Sequence, residues 1–242
     1  MPDALATLLE HARQQAPQGI LTLPQYDWRT GNMVDRGCLL DPFYNPIPNL
    51  SPDRHDVAMV IGACLWIPRR VWYKIGGFPE WMGSVAEDMY LCCIARLSGY
   101  PVQVAKLSGY RHRQGMSFSG KRTNTDRLVS TYRRRFLSER NKTFTMLATC
   151  PACLLPVVFP VHMMILSVEG ATVAMLTHNK RLFVEVYWQL PYPIWKNRKY
   201  IRRLRRKVQT ATVIGCGLFL SPFKWVPGKL NMLLQFGLPR VR

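Results

Sequence analysis

Several common signals are missing from this 242-residue sequence. Its seven cysteines are odd in number and irregularly spaced, which excludes a disulfide framework and is typical of a reducing compartment. In the first thirty residues Asp3, Glu10 and Gln14 interrupt the apolar positions, so we expect no secretory signal. A glycine-rich phosphate-binding loop of either common type is also lacking. These absences predict a chain on the cytosolic side.

Acidic residues are scarce, and the scarcity is confined to one part of the chain. There are 33 Lys and Arg against 14 Asp and Glu, a formal net charge of +19. Residues 1–110 hold 9 basic and 10 acidic residues, whereas residues 111–242 hold 24 and 4. The basic part needs an anionic partner, which could be nucleic acid, an anionic membrane surface or a phosphorylated substrate. Its basic runs at 133–135 and 196–207 flank the most apolar stretch, which favours the membrane surface.

Apolar content is sufficient for a folded core. Hydrophobic residues make up 48% of the sequence and aromatic residues 11%, which excludes a disordered basic tail. The apolar spacing and turn formers predict, in chain order, a helix over 3–15, a strand over 19–23, an irregular segment or loose hairpin over 25–56, a strand over 58–67, a helix over 88–97 and a strand over 102–105. This alternation predicts an α/β fold, a mixed sheet with helices on it.

The segment from residue 144 to residue 176 is apolar and contains prolines at 151, 156 and 160. It reaches the ~20 residues that a bilayer span needs only if prolines lie within the span. Basic residues flank it on both sides, so a single span would leave one basic set outside. We expect a re-entrant or interfacial helix pair in the cytosolic leaflet, with the basic runs against anionic headgroups. A single transmembrane span and a buried hairpin of a soluble domain are the alternatives.

Four short motifs follow one another between residues 62 and 117. They are Gly-Ala-x-x-x-Ile-x-Arg at 62–69, Gly-Gly-Phe at 76–78, a Glu-Asp pair at 87–88 that opens a helix ended by Gly-Tyr at 99–100, and His-x-x-Gly-x-Ser at 112–117. In this order they resemble the acceptor-side half of the family 2 glycosyltransferases, inverting enzymes of the GT-A fold, and most closely the rhamnosyltransferase-like members. The run Arg-Asn-Lys-Thr at 140–143, before an apolar stretch and a basic helix, is similar to the tail of those enzymes.

The resemblance implies an organisation and a reaction. Residues 1–143 correspond to the acceptor-side part of a partial GT-A domain, and residues 144–242 to an apolar and basic helical region for membrane association. The full enzyme would transfer a hexose or deoxyhexose from a nucleotide-sugar donor to a saccharide or lipid-linked acceptor in cell-surface polysaccharide synthesis. The expected site is the cytoplasmic face of the cell membrane.

The resemblance also implies a divalent metal, Mg²⁺ or Mn²⁺, in the full-length enzyme. In family members a nucleotide-binding lobe precedes the matching segment and ends in an acidic Asp-x-Asp metal motif, which this sequence lacks. We therefore expect the chain by itself to bind no metal strongly, with the donor lobe supplied by upstream sequence or by another chain.

Asp88 is the candidate catalytic base. In the family pattern this aspartate takes the proton from the acceptor hydroxyl that attacks the anomeric carbon, and Glu87 orients the site or the acceptor. A carboxylate is sufficient because the hydroxyl needs only partial deprotonation as the nucleotide leaves. As an isolated pair, the residues alone favour a capping role, since carboxylates are favourable at a helix N-terminus.

The candidate acceptor- and donor-binding residues are Gly76, Gly77, Trp81, Arg111, Arg113 and Ser117. The two glycines would pass close to a substrate cleft or form an ordinary tight turn. Trp81 would stack on a sugar face, and the two arginines would offset diphosphate charge. The resemblance implies that His112 is a metal or diphosphate ligand, as in some family members, and a structural role is the alternative. We expect the arginines beside it to depress its charged form.

Two other functions remain open. A non-catalytic membrane-bound scaffold would retain only the acceptor lobe. A basic nucleic-acid-binding module would use the second part of the chain, but no nucleic-acid motif accompanies the basic runs. We therefore expect no nucleic-acid partner.

Overall fold

A computed structural model describes residues 1–113, 129–237 and 240–241. About 52% of these described residues are helical. The helices are α1 (Ala4–Gln14), α2 (Arg69–Ile75), α3 (Glu87–Leu97), α4 (Tyr132–Thr149), α5 (Leu155–Leu176), α6 (Lys180–Leu182), α7 (Pro191–Lys196), α8 (Arg198–Thr210), α9 (Cys216–Leu220) and α10 (Gly228–Phe236). The strands are β1 (Ile20–Thr22), β2 (Gln25–Asp27), β3 (Met33–Asp35), β4 (Cys38–Leu40), β5 (Pro46–Pro48), β6 (Val102–Val104), β7 (Tyr110–His112), β8 (Val129–Ser130) and β9 (Arg240–Val241).

The described strands form small sheets. β1 pairs in parallel with β6, and β4 pairs antiparallel with β5. β2 is the centre of a mixed sheet, antiparallel to β3 and parallel to β7, and β8 pairs in parallel with β9. Single bridges attach Trp66 to β1 at Leu21 and Asp56 to β6 at Gln103. The predicted α/β class with mixed sheets is confirmed.

Most of the predicted elements of the first hundred residues are present. The helix predicted over 3–15 is α1, the strands predicted over 19–23 and 102–105 are β1 and β6, and the helix predicted over 88–97 is α3. The turn-rich segment 25–56 contains the β2–β3 pair and the β4–β5 pair. Apolar spacing located these elements because each one buries a face in the core.

The single strand predicted over 58–67 is wrong. Met59 bridges β4 at Cys38 and Ala58 lies in a bend, but Gly62–Cys64 forms a turn of 3₁₀-helix, after which Trp66 bridges Leu21. The reason is the hydrogen bond of the Gly62 N–H, which goes to the side chain of Asp88 and is therefore lost to any strand ladder. The apolar run is two short extended pieces around a turn.

The main hydrophobic core surrounds α3, which is buried on every side from Met89 to Leu97. This core also includes Met146 of α4, Phe219 of α9 and Phe223. α4 continues without a break across residues 143 and 144, where the sequence analysis divides the chain. The acceptor-side part and the C-terminal region therefore share one core.

α5 is long and apolar enough to cross a bilayer, with 22 residues and a mean hydropathy of 1.6 over its best window. It contains Pro156 in its first turn, where a backbone N–H has no helical partner, and Pro160 one turn later. One face, with His162, Leu166 and Val173, is buried. The opposite face is apolar and exposed, so only 22% of the window is buried.

Candidate functional site

Asp88 is the second residue of α3, and two backbone N–H groups fix its carboxylate. Oδ2 accepts a hydrogen bond from Gly62 N at 3.1 Å, and Oδ1 accepts one from Met89 N at 2.8 Å. Burial, followed by the charge of Glu87, raises the pKa of Asp88 to about 6. The carboxylate is thus ionised at neutral pH yet basic enough to accept a proton in a transition state.

Glu87, the first residue of α3, is half-buried beside Asp88. Within the described part of the chain, its buried Oε2 atom has no hydrogen-bond partner. A buried carboxylate oxygen without a donor is costly in a fold, which is typical of positions kept for a ligand. The pair thus offers one anchored carboxylate and one that can accept a bond from a bound hydroxyl.

The turn before α3 has an unusual backbone. Val85 and Ala86 are both left-handed, with φ of 74° and 68°, and Gly83 also has a positive φ of 72°. A left-handed conformation costs an ordinary residue roughly 1–2 kcal/mol, and it is exceptional for a β-branched side chain such as Val85. Strain of this kind persists only where the surrounding structure enforces it, and it is common at functional sites.

Asn141 of α4 holds the turn in this conformation, a role not predicted from the sequence. The two N–H groups of its buried amide nitrogen Nδ2 lie within hydrogen-bond distance of three carbonyl oxygens of the turn, so two of these oxygens share one N–H. The acceptors are Met82 O at 3.2 Å, Ser84 O at 3.0 Å and Val85 O at 2.7 Å. The signal in the sequence was the run Arg-Asn-Lys-Thr inside a helix, because polar residues at buried positions require specific partners.

Gly76 and Gly77 end α2 in a tight turn. Both have positive φ, and both N–H groups donate to the carbonyl oxygen of Trp72. A Cβ on Gly77 would lie 2.7 Å from the Trp72 ring, whereas one on Gly76 would meet nothing within 4 Å. The close approach at Gly77 is therefore to the protein's own indole, which corresponds to the tight-turn alternative.

Trp81 lies in an aromatic cluster between α3, α4 and α8. Its ring centroid is 6.1 Å from that of Tyr90, 5.4 Å from that of Phe144 and 5.7 Å from that of Tyr200. Such edge-on and tilted contacts stabilise the core. The half-buried indole is thus mainly a packing residue in this arrangement.

His112, Arg111 and Arg113 lie on or next to β7, in the sheet with β2 and β3. Among the described residues, no hydrogen bond or ion pair joins His112 to Glu87 or Asp88. Burial lowers the pKa of His112, whereas both arginines are exposed. The cause predicted from sequence is wrong, because alternate residues of a strand point to opposite faces. Ser117 lies outside the described residues.

A metal site is not formed by the described residues alone, since they contain no group of three or more His, Cys, Asp or Glu that could hold an ion. The buried Nδ1 atom of His112 has no hydrogen-bond partner within this part of the chain. It could contribute one nitrogen ligand, which is too few for a stable site.

No family model, curated protein or solved structure matches this chain. The resemblance to family 2 glycosyltransferases thus stays a prediction that depends on the motifs and on their geometry.

A second candidate surface is basic and aromatic. α8 buries Ile201 and Val208 and exposes most of its cations. The exposed basic residues are Arg198, Lys199, Arg202, Arg203, Arg206 and Lys207. The neighbouring segment exposes Trp188, Tyr192 and Trp195, and the guanidinium of Arg198 lies 4.6 Å from the Trp195 ring centroid. Exposed indoles beside cations are typical of a membrane interface.

Proposed function

We propose that this chain is the acceptor-side part of an inverting glycosyltransferase that works at an anionic membrane surface. The observation that carries the proposal is the Asp88 carboxylate, which two backbone N–H groups orient and whose pKa burial raises to about 6. The backbone N–H groups around Asp88 lower its pKa, but burial outweighs them, and a buried carboxylate with a raised pKa favours the general base.

The convergence of three sequence motifs on one place supports the same proposal. Gly62 of the first motif donates its N–H to Asp88 of the third. Phe78 of the second motif lies beside Gly62, since a Cβ on that glycine would be 3.9 Å from the Phe78 ring. Residues of three motifs that are far apart in sequence thus lie close to one another.

The proposed reaction needs only a few steps from these residues. Asp88 accepts the proton of the acceptor hydroxyl while the hydroxyl oxygen attacks the anomeric carbon of the donor sugar. The new carbon–oxygen bond forms as the bond to the nucleotide diphosphate breaks on the opposite side, so the configuration inverts. Glu87, through its free Oε2, accepts a hydrogen bond from a second acceptor hydroxyl and orients it.

The donor nucleotide and the divalent metal stay predictions for the full-length enzyme. Donor binding is assigned to a nucleotide-binding lobe, with Arg111 and Arg113 as candidate contacts to the diphosphate.

Membrane attachment is the second half of the proposal. The exposed face of α5 carries Val157, Met164, Val168 and Met175 at spacings of seven, four and seven residues, which is one continuous stripe. A helix with protein on one face and an apolar stripe on the other suits an interfacial position. The cations of α8 would then contact anionic headgroups on the cytoplasmic side.

Sugar transfer in membranes of the natural host tests the catalytic proposal. Asp88→Asn is expected to lower kcat by about 10²-fold or more, since a positioned base contributes 10²–10⁴-fold. Asp53→Asn, a change at an exposed turn carboxylate, is the matched control and should leave transfer unchanged. Wild-type turnover by the Asp88→Asn chain, or a product with retained configuration, would refute the proposal.

A further inference from the structure

The turn of residues 82–86 decides where the Glu87–Asp88 pair points, because it leads directly into the first turn of α3. Its left-handed residues Val85 and Ala86 lie immediately before Glu87. Without an external restraint, ordinary residues leave this region of conformational space. Any such relaxation would rotate both carboxylates away from their observed positions.

The restraint comes from α4, a separate helix. Asn141 Nδ2 bonds to three carbonyl groups of the turn, the shortest at 2.7 Å to Val85 O. Its own orientation is fixed in turn, because Arg140 Nε donates to Asn141 Oδ1 at 2.9 Å. Arg140 Nη2 also donates to Met82 O at 3.0 Å. The amide nitrogen of Asn141 thus faces the turn, and its amide oxygen faces the guanidinium of Arg140.

We propose, on the basis of the function proposed above, that Asn141 is a positioning residue that holds the Glu87–Asp88 pair by clamping the strained turn before α3. It touches no reacting atom. Its effect reaches the reaction through the backbone of Val85 and Ala86, which sets the direction of the first turn of α3.

The carboxyl titration of Asp88 gives a readout that does not depend on activity. The titratable groups that face Asp88 are Glu87 and the thiols of Cys38 and Cys92. Burial raises the pKa of both thiols, so they remain uncharged between pH 4 and 7. Carboxyl-carbon NMR of the full chain labelled at Asp would follow Asp88, which is identified as the signal that Asp88→Asn removes.

The test variant is Asn141→Leu, which removes the amide donors at similar volume. The clamp predicts that the Asp88 titration midpoint falls from about 6 to below about 5, because the carboxylate gains solvent when the turn relaxes. The matched control is Asn49→Leu. Asn49 is also buried and donates to two carbonyl groups, those of Arg36 and Arg54, neither of which belongs to α3 or to the turn before it.

A rescue experiment separates clamping from general packing. With Val85→Gly and Ala86→Gly the left-handed backbone is no longer strained, so adding Asn141→Leu should lower Tm less than it does in the wild-type background. If the single variant does not fold, the clamp predicts that the Asn141→Leu chain with both glycines does fold, and a chain that also fails to fold would contradict the clamp.

Two results would overturn the inference: an Asp88 midpoint that stays near 6 in the folded Asn141→Leu chain, or the same loss of Tm in both backgrounds. In the transfer assay the clamp predicts a fall in kcat of at least tenfold with KM nearly unchanged for Asn141→Leu. Failure of the proposed function would be visible separately, as full turnover by Asp88→Asn, and would leave the titration to decide whether Asn141 holds the carboxyl pair.

Discussion

Asp88→Asn should change how the stability of the chain depends on pH. The pKa of Asp88 is raised from 3.8 to about 6, mainly by burial and to a smaller extent by the charge of Glu87. A raised carboxyl pKa means that the folded state holds its proton more tightly than the unfolded state does. The stability this provides is fully present below pH 3.8 and is lost as the pH rises through about 6. At ~1.4 kcal/mol per pH unit, ionising Asp88 costs about 3 kcal/mol of the free energy of unfolding.

The asparagine variant has no such dependence at this position, but it loses one hydrogen bond. An amide has one acceptor oxygen, so either the Gly62 N–H or the Met89 N–H loses its partner, at a cost of about 1–3 kcal/mol at every pH. The variant should therefore be less stable than the wild type at pH 3.5. At pH 7 the two costs are similar, and the variant should match or exceed the wild type.

Urea unfolding of the full chain in mild detergent, at pH values from 3.5 to 7, measures this difference. The difference in free energy of unfolding between wild type and Asp88→Asn should change by about 3 kcal/mol from pH 3.5 to pH 7. The corresponding difference for Asp53→Asn should change little with pH. A difference that stays constant with pH would show that Asp88 titrates normally in the fold. Asp88 would then lack the raised pKa on which its proposed role as a general base depends.

Two further predictions concern the turn and the membrane surface. Gly77→Ala should lower the free energy of unfolding by about 2–4 kcal/mol, because the new Cβ would lie 2.7 Å from the Trp72 ring and the residue has a positive φ. Gly76→Ala should lower it by only ~1 kcal/mol, since only the positive φ is unfavourable there. Equal thermal melts of the two variants would contradict this. Arg202→Ala together with Arg203→Ala should weaken binding to anionic vesicles, measured by sedimentation, about 30-fold, at ~1 kcal/mol per cation. Arg13→Ala on α1 should leave this binding unchanged. Equally strong binding of the wild type to neutral vesicles would refute the electrostatic contribution.

Local patterns predicted the elements whose features lie in neighbouring residues. Apolar spacing located α1 and β1, and the acidic pair marked the start of α3. The failed strand over 58–67 has a distant cause, since its Gly62 N–H bonds to a side chain 26 residues away. The role of Asn141 is likewise invisible in a local window, because its acceptors lie at least 56 residues earlier in the chain. Single-sequence patterns carry no information about such pairs.

The shared core also decides how membrane attachment can be tested. The most direct test of membrane attachment is to remove residues 144–237, since this deletes the apolar stretch and the basic helix. Yet that deletion would also remove Met146, Phe219 and Phe223, which pack in the same core as α3. It would cut α4 just after Asn141 and would remove Leu147 and Cys150, whose carbonyl groups accept hydrogen bonds from Arg205 of α8.

A truncated chain that leaves the membrane fraction would therefore report the collapse of the core as readily as the loss of a membrane anchor. Substitutions on the exposed face of α8 avoid this ambiguity, because Ile201 and Val208 hold the buried face in place while Arg202 and Arg203 change. The same connection has a functional consequence. α4 bonds through Asn141 to the turn before Asp88 and through its C-terminal carbonyl groups to the basic helix. Under the function proposed above, a rigid helix that contacts both regions would keep the carboxyl pair at a fixed distance from the membrane surface on which a lipid-linked acceptor would present its hydroxyl.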